Sequence, residues 1–557
     1  MVDNQDKNLE TPLLFAARCG YLKVAEILIK NGADVNKENQ HGWTPIRAAC
    51  FNGFLDLAKF LFVSNADLNH KDKAKGTPLL VACQNGHVDI IKFLLDHDAA
   101  VNLTDSLYIA CHYGYVDIVQ ILLDHDAEIN TGDINGCTPL HCACHNAKTE
   151  IPELLIKYKA TLDQADNDGW TALHHACING HDKTAALLIT HNALVNRTIY
   201  GRGPLHLACR SCNKSLVTLL LQSGAVVNQE KTDGPTPLHV ACYNGFNDLT
   251  ELLLEHGANI DQCTDKGHTP LYEACNAGHT EVVKTLLVKN ASVKHVTNNG
   301  LTALDIACRQ NRVDTVKLLL AHDINIQKTT SPRFSSLHIA CEKKNTLLVG
   351  LLLIYGADAN QTDMSGETPL HVACMNGLGT IVELLIIHGA KIDQVIYDDW
   401  TDLNVACQLG NTNIVELLLK HKAAVNKTSK GYHMSPLHFA CENDNKDVVT
   451  HLLENEAVVN QKNIHNWTPI HFASRNGLVH IVTVLIQHKA VVNCVTKAGI
   501  TPLMLACDHE HKHVAEVLLK NDATVNQATK DGITPLHIAV QKNLKDIEEF
   551  LLEYKAI

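Results

Sequence analysis

One ten-residue string, T-P-L-H-x-A-C-x-N-G, returns along the whole chain, and no other feature constrains the fold as strongly. Its Leu slot is filled at residues 13, 46, 79, 107, 140, 173, 205, 238, 271, 304, 337, 370, 403, 437, 470, 503 and 536, by Leu or Ile each time and mostly 33 residues apart. The Ala three residues later, from Ala16 to Ala539, never changes between copies. A period of this length marks a stack of small supersecondary units, each too small to bury its own apolar face, so that neighbours must supply one another's core. At 557 residues the chain is also far too long for a single core.

Each copy reads as two short helices. Thr followed by Pro starts the first, because Thr accepts an orphan backbone N–H while Pro has none to satisfy. "TPLHVACYNG" therefore predicts a helix ending at Gly245. "HVDIIKFLLDHDA" carries Val88, Ile91, Leu94 and Leu95 on one stripe and predicts the second helix. A segment such as "NGADVNKENQHG" is rich in turn residues and returns the chain to the next copy. A composition of 46% hydrophobic but only 5% aromatic residues suits such a small-residue helical stack.

The T-P-L-H box, the second-helix pattern and the G-A-x-V-N ending, all present in "TPLHVACMNGLGTIVELLIIHGA", make the chain resemble an ankyrin-repeat protein over essentially residues 8–557. The resemblance implies an all-α solenoid of antiparallel helix pairs with projecting β-hairpin loops. It also implies a concave face, lined by hairpin tips and first helices, that binds other proteins. The array is read as one domain, residues 1–557, of about seventeen units. Bends are expected at 99–152, where a unit arrives after 28 residues and Pro152 opens a second helix, and at 321–336, which lacks the Thr-Pro signal.

Framework slots absorb most of the chemically suggestive residues. Fourteen cysteines, from Cys50 to Cys507, share one slot whose other occupants are Ala17, Ser474 and Val540, so it calls for a small buried side chain. Neighbouring copies lie about a helix-packing distance apart, too far for disulfides. Nine histidines fill the slot after Leu, namely 141, 174, 206, 239, 338, 371, 438, 471 and 537. The resemblance implies that they bond near the box Thr as neutral structural groups. The H-E-x-x-H string at His509–His513 matches a zinc-protease motif, which needs a continuous helix. The repeat frame places Glu510 in the Gly slot between two helices, so no catalytic residue, metal or cofactor is assigned. In "CTPLHCACHNA" (137–147) the frame leaves only Cys137, Cys142 and His145 over, and a metal on His141 and His145 is the alternative that the spacing leaves open.

Asn recurs at the end of each unit as a turn residue whose side chain reaches the adjacent loop. Ankyrin-like proteins are substrates of asparaginyl hydroxylation at this slot, and Asn36 and Asn130 fit that context best. Function is expected where the repeat varies. The residue before the box Thr, which the resemblance places at the hairpin tip, is Trp43, Trp170, Leu301, Phe334, Trp400, Trp467, Ile500 or Ile533 in different copies, with Met434 before Ser435. The residue after the Cys slot adds Phe51, Ile178, Tyr243 and Met375. Trp400, Met434, Trp467, Ile500 and Ile533 form an apolar ladder suited to an extended peptide or an amphipathic helix.

The reading is therefore a non-enzymatic interaction scaffold, monomeric, binding one or more proteins or peptides. The alternative is an adaptor presenting a substrate to a ubiquitin ligase, kinase or phosphatase, which needs a recruiting motif beyond the repeats. A net charge of −13 argues against phosphate backbones and anionic membranes as partners. No apolar run is long enough to span a bilayer. With no leader pattern at the N-terminus, the expected location is cytoplasmic, with a nuclear share open.

Overall fold

The computed structural model describes residues 2–229, 234–322, 335–396 and 399–557. Among them are 34 helices in seventeen pairs, from Pro12–Cys19 with Leu22–Lys30 to Pro535–Gln541 with Lys545–Glu553. The chain forms two compact segments, residues 1–265 and 266–557. Neither expected bend falls at that division, and most of the second one, residues 323–334, lies outside the described residues.

Within each segment first helices pack on first helices and second on second, and the row of first helices is the more closely spaced. The framework alanines and cysteines permit this approach: Ala49, Ala82, Cys50, Cys83 and their equivalents are fully buried at the contact. Burial pushes these thiols up, Cys83 to about 12, which keeps them protonated and unreactive.

The first helix starts as its residues dictate. Thr368 is in the extended region at the N-cap, Pro369 follows, and the Thr368 hydroxyl accepts the His371 N–H at 3.3 Å. His371 Nδ1 in turn accepts the Thr368 N–H at 3.3 Å and its hydroxyl at 2.8 Å. In most copies the other ring nitrogen reaches the next repeat: Nε2 of His141, His338 and His438 donates to the carbonyls of Trp170, Glu367 and Trp467 at 2.9, 2.9 and 3.2 Å. One imidazole thus caps its own helix and ties down the neighbouring loop. Accepting at Nδ1 while donating from Nε2 requires the neutral ring.

The loops differ from the expected β-hairpins. Most of the described loops close as a tight turn, as where Asn463 Oδ1 accepts the N–H groups of His465 and Trp467, both at 2.9 Å. Adjacent loops then share a single backbone bond, such as Lys497 N–H to His465 O at 3.0 Å. One bond per neighbour is too few for a strand, and among the described residues only an isolated Ile199–Arg202 bridge forms.

The Asn slot links repeats a second way. Asn460 Oδ1 accepts the Val491 N–H at 2.8 Å while its Nδ2 donates to Lys489 O at 3.1 Å. Asn36 repeats both bonds with Asp67 and Asn65. Asn130 accepts from Thr161 at 2.9 Å.

Candidate protein-binding face

Within each segment, variable residues of the loop tips meet variable residues of the first helices. In the first segment Trp43 is half-buried, its ring 5.4 Å from Phe51, which is 36% exposed. Arg47, standing in the His slot, lies over the Trp43 ring at 3.9 Å and pairs with Asp72 of the next loop. Arg thus replaces the imidazole bridge by a longer reach and a cation–π contact. Trp170 is half-buried against His175, with ring centroids 5.5 Å apart, and Tyr243 is 53% exposed.

The second segment carries the ladder. Trp400 packs on Phe439 at 4.7 Å, and Trp467 on Phe472 at 5.0 Å with the Arg475 guanidinium 5.3 Å above its ring. Ile500 is half-buried and Ile533 is 39% exposed. Met434 departs from the expected tip position, being only 8% exposed. That loop has one extra residue, seen as a 34-residue step between Leu403 and Leu437. Its hydrogen bond from Met434 N–H spans five residues to Ser429 Oγ, and Tyr432 is exposed beside it; Leu301, in the same slot of a loop without the insertion, is equally buried, so the tip slot itself accepts an inward side chain. Phe334 lies outside the described residues.

Shallow depressions lie beside several of these residues. One of about 450 Å³ is walled by Met434, Trp467, Phe472 and Arg475. Another of about 430 Å³ is bounded by Ile500, Met504, Leu505 and Ile533, while a third of the same size is bounded by Ile533 and Ile557 and by Leu536, His537 and Val540, the Leu, His and Cys slots of the seventeenth repeat rather than its variable positions. Arg475–Glu442 at 3.2 Å and Lys542–Asp508 at 2.9 Å join consecutive repeats along their rim. Apolar floors with a charged rim are the anatomy of a protein interface.

The remaining suggestive residues resolve into framework. Residues 509–513 cross the turn between helices Pro502–Asp508 and Lys512–Lys520, with Glu510 at φ 64°. His511 donates to Arg475 O at 2.9 Å, as His87 does to Phe51 O and His181 to His145 O. The His pair of the motif therefore does not share one helix face. His141 has both nitrogens engaged by Thr138 and Trp170, and His145 Nδ1 takes the Asn179 amide at 3.1 Å, so these two do not converge on an ion either.

A family model for ankyrin repeats matches residues 1–72, 49–133, 129–199, 194–262, 244–330, 337–429, 425–496 and 480–557. The chain belongs to the ankyrin-repeat family, an all-α repeat solenoid whose members serve as protein–protein interaction scaffolds. No curated protein matches it. No helix among the described residues is long and apolar enough to cross a membrane.

Proposed function

We propose that the chain holds protein partners on the face formed by its hairpin tips and first helices, with residues 400–557 providing a groove for an extended or helical peptide. The observation that carries this is the pair of apolar depressions on the ladder, one beside Trp467 and one between Ile500 and Ile533. A segment presenting an apolar side chain at each rung fills them in turn, and the Glu442–Arg475 and Asp508–Lys542 pairs fix its register. Trp43 with Phe51, Trp170 and Tyr243 offer anchors of the same kind in the first segment.

Peptide display against the immobilised full-length chain tests this directly. The double variant Trp467→Ala/Ile533→Ala is expected to weaken the selected peptides at least tenfold. Ile387→Ala, on a second helix and 67% exposed, is expected to leave them unchanged. Thermal melts of each variant confirm that the fold persists. Equal binding by wild type and the double variant, or loss in Ile387→Ala alone, contradicts the assignment.

Asn36, exposed and held by Asp67 and Asn65, and Asn130, held by Thr161, are the proposed positions of asparaginyl hydroxylation. A peptide mass raised by one oxygen at either residue tests it.

A further inference from the structure

Three side chains from two adjacent repeats converge beside Trp170. Cys137 is the hairpin tip of the fifth repeat, Asp166 sits in the loop of the sixth, and His175 lies on its first helix Ala172–Ile178. Cys137 Sγ is 3.7 Å from Asp166 Oδ2, and that same oxygen is 3.7 Å from His175 Nε2. The three ligand atoms all fall within 4.8 Å of one another. For a tetrahedral ion with a sulfur at ~2.3 Å and nitrogen or oxygen at ~2.0 Å, ligand atoms stand about 3.3–3.6 Å apart. Two of the three edges are therefore close to their metal-bound length without rearrangement.

Each group is also held for this use. Asp166 Oδ1 is committed to the loop, accepting the N–H groups of Asp168 and Trp170 at 3.0 and 2.8 Å, and this turns Oδ2 toward the other two. The Asp166 side chain is 7% exposed and that of His175 19%. His175 Nε2 is buried with no hydrogen-bond partner, a costly state for an imidazole nitrogen. Burial first, then the nearby His141, lowers its proton affinity, so it stays neutral down to about 4 with a lone pair to give. Burial first, then the negative charges of Asp133, Asp166 and Asp168, pushes the Cys137 thiol up to about 11. That field disfavours thiolate alone and favours a cation at the same place.

The repeat framework does not demand this set. The tip, loop and helix slots that hold Cys137, Asp166 and His175 hold Met434, Asn463 and Phe472 one segment later, where they line an apolar depression. The fifth and sixth repeats have a sulfur, a carboxylate and an imidazole instead.

We propose that Cys137, Asp166 and His175 bind a zinc-class divalent cation that clamps the tip of the fifth repeat to the sixth, with water in the fourth position. A mixed S, O, N set suits Zn²⁺ among the divalent metals. Binding displaces the Cys137 thiol proton and joins two repeats that otherwise meet here only through packing and single hydrogen bonds.

The test is titration of the full-length, reduced and metal-stripped chain with Co²⁺ and then Zn²⁺. Expected is one site per chain showing a thiolate-to-cobalt charge-transfer band that Zn²⁺ abolishes, together with a melting temperature raised by Zn²⁺. Cys137→Ser is expected to remove the band and His175→Ala to weaken binding at least tenfold. Asp166→Asn keeps the loop bonds, since Asn39 and Asn463 fill that slot elsewhere, so it is expected to weaken the metal at least tenfold with the metal-free melt unchanged. Cys142→Ser is the control, because Cys142 Sγ lies 3.8 Å from His112 Nδ1 in a separate contact. No tight site in wild type, a band that survives Cys137→Ser, or one lost only in Cys142→Ser overturns the assignment.

Discussion

Lowering the pH from 7 to 5 is expected to drop the melting temperature by more than 10 °C, well before the bulk of the carboxylates titrate. The cause is the histidine caps. Burial lowers the proton affinity of His174, His206, His371, His438 and His471 to about 4, and lowers that of His141 and His338 as well. In the unfolded chain these rings protonate near 6.5. Between about 6.5 and 4 the unfolded state therefore binds protons that the native state refuses, and stability falls with pH through that window. Above it their contribution is complete, and below about 4 nothing further is lost from these groups. Each shift to about 4 corresponds to roughly 3 kcal/mol at its limit, and five such groups exceed the margin on which a typical domain rests. Protonation at Nδ1 also removes the acceptor for the Thr N–H. Circular-dichroism melts at pH 7, 6, 5 and 4.5 check this, and hydrogen exchange locates the first repeats to open, since arrays need not melt as one. A melt independent of pH from 7 to 5 contradicts the account of the caps.

Asp402→Pro is expected to stabilise the thirteenth repeat by about 1–3 kcal/mol, the cost of leaving a buried polar group unsatisfied. There the box reads T-D-L-N, and Asp402 and Asn404 are both fully buried. Neither Asp402 oxygen has a hydrogen-bond partner, nor does either polar atom of the Asn404 amide. His371 Nε2 lies 3.6 Å from Asp402 Oδ1, too long for a hydrogen bond. Burial raises the Asp402 carboxyl to about 8 and lowers His371 to about 4, so both stay largely neutral at pH 7. Proline suits the position, because Asp402 is the first helical residue and Thr401 before it is extended at φ −103°, ψ 162°. The sign with pH separates this effect from a general helix gain. A carboxyl raised from 3.8 to about 8 in the native state costs stability progressively as pH rises across that interval. The gain from Asp402→Pro, measured by denaturant unfolding or local exchange, is therefore larger at pH 8 than at pH 5. A gain independent of pH means that the carboxylate is not the source.

Much of this architecture is legible in the residues because the repeat shows the same physics many times. Thr-Pro fixes where most first helices begin, and the Cys and Ala slots mark where stacked helices touch. Asn36 and its equivalents are readable as loop ties, though not the particular partners, since Asn36 meets Asp67 31 residues away. What eludes sequence reading is anything that depends on how one repeat's tip meets the next repeat's loop. Cys137 stands out in the string 137–147, but Asp166 and His175 are its neighbours only because the tip of one repeat overlies the next. Met434 and Leu301 show the same limit: both fill the tip slot, in loops of different length, and both are buried at 8% exposure. The T-D-L-N box is visible as a departure, yet its cost arises from burial on every side, which the box alone does not reveal.

The central claim, that the tip and first-helix face is the docking surface, is tested most directly by hydrogen exchange on the chain bound to a displayed peptide. The account predicts slowed exchange in the loops ending at Trp467, Ile500 and Ile533 and in helices Pro469–Arg475, Pro502–Asp508 and Pro535–Gln541. Protection confined to second helices such as Val479–Gln487 or Lys512–Lys520 would contradict it.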